Sequence, residues 1–319
     1  MENKVININW LFLCFEMMCD YFPNSFATRK DKRRFLELSE HFCALENCIE
    51  HRLSVESKVF FNRIIGLGYT RNEMHEAALP YYKKAFDFLP KDNDEVVPFE
   101  DIIKTYFCMA ECFMQLDDYE NAIKYSDLLI EYLTQKTDCK NNYYFIALLY
   151  RAKIYRFYGE KYYPLSKEDY KKALDFEPLI LEKYSDDHFV DVIAAHVGLA
   201  ITNFKMGYDD ESKKHLHYSC GMIEKMKQDV FPEEFAYIFY DIALLYENFD
   251  DTDKALQYFN HALKIEETMF YDDAHTIHLT LKKMTGIYEK KNNSEMAEHY
   301  KNRALSYIHQ VGGQLYGSE

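Results

Sequence analysis

A chain of 319 residues is long enough for two ordinary domains or for one elongated array of small units. Ten glycines and seven prolines are about half the usual share, which excludes a turn-rich β-sandwich, a collagen-like chain and a string of flexible linkers. Hydrophobic residues at 48% and charged residues at 29% exclude bulk disorder. The formal charge of −15, from 53 acidic and 38 basic side chains, repels phosphate backbones, so no direct nucleic-acid contact is expected.

In chain order, Trp10 to Phe15 is an apolar run ended by Glu16. It is too short for the apolar core of a secretory signal, and no run approaches the ~18 residues of a membrane span, so no membrane association is expected. A first helix is predicted over about 8–21, stopping before the turn signal Pro23-Asn24-Ser25. Arg29, Lys30, Lys32, Arg33 and Arg34 form the one cationic cluster and open a second helix, with Thr28 and Asp31 as its capping box. That helix extends to about Arg52, its apolar stripe formed by Phe35, Leu38, Phe42, Leu45 and Ile49. Residues 1–58 are therefore expected to cap the open apolar edge of the remaining chain or to serve as an effector segment.

From residue 59 a helical-hairpin pattern recurs: a small residue, an aromatic three later, a second small residue nine beyond that, an aromatic four on and a third small residue three on. Gly66, Tyr69, Ala78, Tyr82, Ala85 and Pro90 satisfy it, as do Ala243, Tyr246, Ala255, Phe259 and Ala262. The second copy reads Ala110, Phe113, Tyr119, Ala122, Ser126 and Leu129, and the sixth Thr285, Tyr288, Ala297 and Ala304. The third has Ala152, Tyr155, Tyr170, Ala173 and Pro178, with about two extra residues near Tyr162–Leu165. The fourth has Ala200, Gly207, Ser212, Leu216 and Ser219, with Asn203 in place of its aromatic. Equivalent second-helix positions fall at 78, 122, 166, 212, 255 and 297, so the unit is 42 to 46 residues long. The physical logic is close packing: Gly, Ala or Ser lets paired helices approach to the short end of the ~8–10 Å range, and the aromatics fill the groove toward the next hairpin. One hairpin cannot bury both its apolar stripes, so each needs a neighbour.

These residues resemble the tetratricopeptide repeat family, whose usual unit is shorter. The long unit, with Tyr81-Tyr82-Lys83-Lys84-Ala85 running to Leu89-Pro90 and the run Ala262-Leu263-Lys264-Ile265, is similar to those of kinesin light chains and of Rap-like peptide-sensing regulators. The resemblance implies an all-α, right-handed superhelical solenoid of about six hairpins over 59–310, preceded by two N-terminal helices and followed by a flexible tail over 311–319. It implies a non-catalytic scaffold or adaptor that holds a protein segment or peptide in a concave groove lined by the first helices. The alternative it offers is a peptide-responsive regulator of the Rap-like kind, acting on a partner through residues 1–58.

Carried over repeat by repeat, the groove positions are Arg63, Lys104, Glu111, Tyr150, Lys153, Arg156, Asn203, Lys205, Tyr237, Tyr240, Asp241, Glu247 and Lys282. Of these, Arg63, Lys104, Tyr150, Lys153, Arg156, Tyr237, Tyr240 and Asp241 are the candidate partner-binding residues. The wall is expected to be basic toward repeats one to three and acidic with tyrosines toward repeat five, placing an acidic part of the ligand near Lys153 and Arg156. The carboxylate clamp of chaperone-tail receptors is missing, since Leu67, Cys108, Ile146 and Tyr150 stand where amides or cations are needed. Asn203 and Asn248 are the asparagines placed to grip a peptide backbone. Eight cysteines form no CxxC pair, and Cys108 and Cys112, although i,i+4, lack a third ligand. Reduced thiols and a cytoplasmic location are expected. His215 and His217 diverge on a helix, and His275 and His278 lack a companion motif, so neither a metal, a cofactor nor an enzymatic activity is expected.

Overall fold

The computed structural model describes residues 53–90, 97–137, 141–183, 189–226, 234–269 and 274–315. The two helices expected over 8–21 and 29–52 lie outside these residues. Among the described residues there are thirteen α-helices and no strand. The chain divides into two compact units, residues 1–112 and 113–319.

In the first unit, α1 (Val55–Arg71) and α2 (His75–Asp87) form a hairpin, and α3 (Phe99–Gln115) begins there. The first repeat helix thus starts before residue 59: Ser54 caps it by accepting the Ser57 N–H at 3.1 Å, and Val59 is fully buried. The second unit holds α4 (Tyr119–Lys136), α5 (Asn142–Tyr158), α6 (Tyr163–Leu174), α7 (Glu177–Lys183), α8 (Phe189–Lys205), α9 (Asp209–Lys225), α10 (Glu234–Asn248), α11 (Thr252–Met269), α12 (Ala274–Lys290) and α13 (Ser294–Leu315). Here α5–α6, α8–α9, α10–α11 and α12–α13 pair as hairpins, while α4 packs on α5, α6 on α8, α8 on α10 and α11 on α12. One continuous core runs through this unit, from Phe145 on α5 to Ala304 on α13. That continuity is how stacking hides the stripe each hairpin leaves open.

The six equivalent second-helix positions are all buried: Ala78, Ala122, Ser166, Ser212 and Ala255 are fully enclosed, and Ala297 nearly so. The serines serve as small residues whose hydroxyls are satisfied across the hairpin, Ser166 donating to the Ala152 carbonyl at 2.8 Å and Ser212 to the Ala200 carbonyl at 2.7 Å. Gly66 is required by close approach, because a Cβ there would stand 2.6 Å from Cε1 of the buried Tyr82 ring.

Each hairpin turn carries a further regularity five residues before the small position. Glu73, Asp117, Gly207, Asp250 and Asn292 all have φ between 54° and 78°. The next residue's N–H reaches back to the first helix, Met74 to Tyr69, Asp118 to Phe113, Tyr208 to Asn203, Asp251 to Tyr246 and Asn293 to Tyr288, at 2.9–3.0 Å. This is the Schellman closure, and four of the five left-handed positions do without glycine. The third repeat departs from it. Gly159, at φ 127°, leads into a 3₁₀ turn over Glu160–Tyr162, which accommodates the extra residues expected near Tyr162–Leu165.

Two elements differ from expectation. Pro178 does not end the third repeat but lies in α7, a short added helix. Helix α13 continues through Leu315, well into the stretch expected to be a flexible tail.

Candidate protein-interaction face

Inside each hairpin one side-chain pair faces across the two helices. Tyr69 stacks on Tyr81, Phe113 on Tyr125, Tyr246 on Tyr258 and Tyr288 on Tyr300, with centroids 5.4–5.6 Å apart and ring planes within 15°. Repeats three and four break this pattern with polar residues at the second-helix member, Asp169 and His215. Asp169, almost fully buried, is held by a two-pronged contact from Arg151, Nε to Oδ2 at 2.7 Å and Nη2 to Oδ1 at 2.8 Å, while Arg151 Nη1 reaches Asp127 at 2.6 Å. His215 faces His196. The departures therefore fall in the middle of the second unit.

The first helices α5, α8 and α10 lie side by side there, α8 against both others. On α5, Lys153 is half-buried with its ammonium 6.0 Å from the Tyr150 ring, and Arg156 lies 4.8 Å over the Phe157 ring. Arg156 reaches past α8 to Asp241 on α10, at 3.7 Å, a distance of loose pairing. Tyr170 on α6 supports the same guanidinium and occupies the space that a Gly198 side chain on α8 would need. Burial pushes the Asp241 carboxyl up, and the Arg156 and Lys153 cations pull it back. The Arg156 Nε–H is buried and makes no hydrogen bond.

Tyr240 packs edge-on against Phe259, ring centroids 5.5 Å apart, whereas Tyr237 is 59% exposed. Glu247 is engaged by two lysines of α12, Lys283 at 3.2 Å and Lys290 at 3.1 Å. Lys205 and Lys282 are exposed. Neither lysine contact to Glu247 was foreseen, although both residues sit on first-helix positions and an acid on one repeat opposite bases on the next is a readable signal.

Other expected groove residues are placed differently. Arg63, in the first unit, is buried and bonded to Asp101 of α3 at 2.5 Å, so its charge is spent within that unit. Lys104 is exposed and pairs with Glu100 at 3.4 Å on its own helix, and Glu111 is half-buried. Asn203 is only 1% exposed and cannot grip a groove peptide, a correction that follows from its place at the hairpin interface. Asn248 is exposed but donates to the Leu244 carbonyl of its own helix at 2.8 Å. The basic wall expected over repeats one to three is likewise corrected: Arg63 and Arg156 both face carboxylates. Cys112 is buried, with its thiol on the His75 carbonyl at 3.3 Å, and burial pushes its pKa up to about 12, so it is an inert core thiol. Among the described residues no three His, Cys, Asp or Glu side chains are arranged to hold a metal ion, and no helix is long and apolar enough to cross a membrane.

Hairpins closed by small residues and stacked through one core define a helical-repeat protein. A tetratricopeptide repeat family model matches residues 236–269, the α10–α11 hairpin. Solved structures share the fold. The apo form of RapI matches with a TM-score of 0.62 at 11% identity, over 92% of this chain and 99% of that one. The apo quorum sensor NprR from B. thuringiensis matches at 0.53 and 14% identity, over 87% and 83% of the two chains. The nearly identical TPR-like repeats of a Podosopora anserina kinesin light chain match at 0.52 and 12% identity, over 68% and 98%. A comparison with curated protein sequences finds no match.

Proposed function

We propose that the protein is a non-catalytic interaction scaffold that holds an extended segment of a partner protein along the first-helix face of its second unit. The segment lies between Tyr150, Lys153 and Arg156 on α5 and Tyr237, Tyr240 and Asp241 on α10. The supporting observation is Arg156: a guanidinium largely removed from water, with a loose 3.7 Å pair to Asp241 and a buried Nε–H that has no acceptor. A buried donor left unmade is costly, so an acceptor delivered by a ligand gains more here than on open surface. A carboxylate or backbone carbonyl of the bound segment would supply that acceptor, beside Lys153, while the exposed Tyr237 offers a flat aromatic anchor. Arg63 and Lys104, already paired, contribute nothing to this reading.

The test is selection of a random peptide library on the full-length chain, followed by affinity measurements with Lys153→Glu and Tyr237→Ala. Selected peptides should carry an acidic residue, and each variant should weaken them at least ~10-fold, the range of an interface anchor, while keeping the parent's far-ultraviolet helix signal at the assay temperature. Peptides that bind both variants as tightly as the parent would remove this face from consideration. Tight capture of short peptides with a change in hydrodynamic radius would instead favour the peptide-responsive regulator.

A further inference from the structure

Glu177, the first residue of the added helix α7, is joined to the fourth repeat by a relay of four side chains. Its carboxylate accepts the Tyr218 hydroxyl at 2.6 Å and meets His196 Nε2 at 3.1 Å, and His196 Nδ1 lies 2.9 Å from His215 Nδ1. The His196 ring is sandwiched, 4.4 Å from Tyr218 and 5.1 Å from His215, and is buried. Glu211 and Tyr218 face the pair from α9, Lys171 from α6 and Glu177 from α7.

The geometry fixes where each proton sits. An ionised carboxylate only accepts, so His196 donates from Nε2 and its Nδ1 carries a lone pair. His215 then donates from Nδ1, leaving its own Nε2 as the open base. One added proton fits on that Nε2 without disturbing any bond. A second has to enter between the two Nδ1 atoms, setting two N–H groups head to head at 2.9 Å and two cations on neighbouring rings.

We propose that this relay is a proton-counted latch that docks α7 onto α8 and α9, holding with one added proton and opening with the second. Two shifts act in the same sense. Burial, then repulsion from a charged His196, lower the His215 pKa to about 4, so the pair refuses to carry two charges until the pH nears that value. Burial alone would raise the Glu177 carboxyl, but its hydrogen bonds from His196 and Tyr218 outweigh this and hold it low, so its contribution also disappears on acidification. Both groups are depressed in the folded state, so docking is stable above their unfolded pKa values and is lost as pH falls toward 4.

The experiment is hydrogen exchange by mass spectrometry at pH 7, 5.5 and 4 on the full chain, corrected for the intrinsic pH dependence of exchange. Protection over 177–183 should fall at least ~10-fold more than protection over α12–α13, and His215→Phe, which keeps a ring but cannot take the proton, should shrink that difference to the share carried by Glu177. An equal acid loss in His215→Phe, or none in the parent, would overturn the latch. Long-range proton–nitrogen spectra of the histidine rings give a second reading that needs no variant. Nε2–H on His196 with Nδ1–H on His215 at pH 7 supports the relay, and Nδ1–H on His196 refutes it.

Discussion

Gly66→Ala isolates the close approach on which the hairpins depend. The new Cβ would stand 2.6 Å from Tyr82 Cε1 and 2.7 Å from Cδ1. Carbon atoms in contact sit at about 3.5–4.0 Å, so the ring has to move by about 1 Å. Tyr82 has no room to do so: it is 1% exposed, and its hydroxyl is tied to Thr70 at 2.9 Å. Overpacking of this kind costs about 1–3 kcal/mol, and the site is toward the upper end because two ring carbons are struck. Alanine gains about 1 kcal/mol over glycine in a helix, leaving a net loss of about 1–2 kcal/mol. Gly221 in α9 and Gly286 in α12 are the controls, because a Cβ at either meets nothing within 4 Å. Alanine there should stabilise by up to ~1 kcal/mol. Urea unfolding followed by far-ultraviolet circular dichroism measures all three, and in a Tyr82→Ala background the Gly66→Ala step itself should turn favourable, because the struck ring is gone. A Gly66→Ala chain as stable as the two controls would refute the reasoning, since the hairpin would then not need its smallest residue.

Ala255→Leu should cost about 1–3 kcal/mol by overpacking, because Ala255 is fully buried between α10 and α11; an unchanged denaturation midpoint would contradict the repeat register. Phe259→Ala should lose about 3–5 kcal/mol, the residue being fully enclosed in the second unit's core. Arg151→Ala leaves the nearly buried Asp169 carboxylate without its partner and should cost about 3–5 kcal/mol, whereas Asp127→Ala, which removes only the half-exposed arm, should cost under ~1 kcal/mol. Glu73→Gly and Asp250→Gly should each raise stability by about 0.5–1 kcal/mol, because glycine adopts the left-handed turn without the steric penalty of a Cβ.

The sequence by itself determined the hairpins. The six nearly evenly spaced small positions are the six buried contacts, because helix approach is limited by the side chain at the crossing and larger residue types do not tolerate that distance. The first-helix aromatics Tyr69, Phe113, Tyr246 and Tyr288 were legible for the same local reason, but their stacking partners Tyr81, Tyr125, Tyr258 and Tyr300 stand one residue before the aromatic position the pattern names. The left-handed turn residues were not legible, since Glu73, Asp117, Asp250 and Asn292 carry the closure where glycine would have announced it. Only the tertiary structure decided which charged positions are paired within the chain. Arg63 and Asp101 are 38 residues apart and Arg156 and Asp241 85 apart, and nothing in a periodic pattern says that such pairs meet. The relay of Glu177, His196, His215 and Tyr218 was invisible for the same reason. Its members come from three helices, and a histidine's proton is assigned by what stands opposite it rather than by its neighbours in the chain.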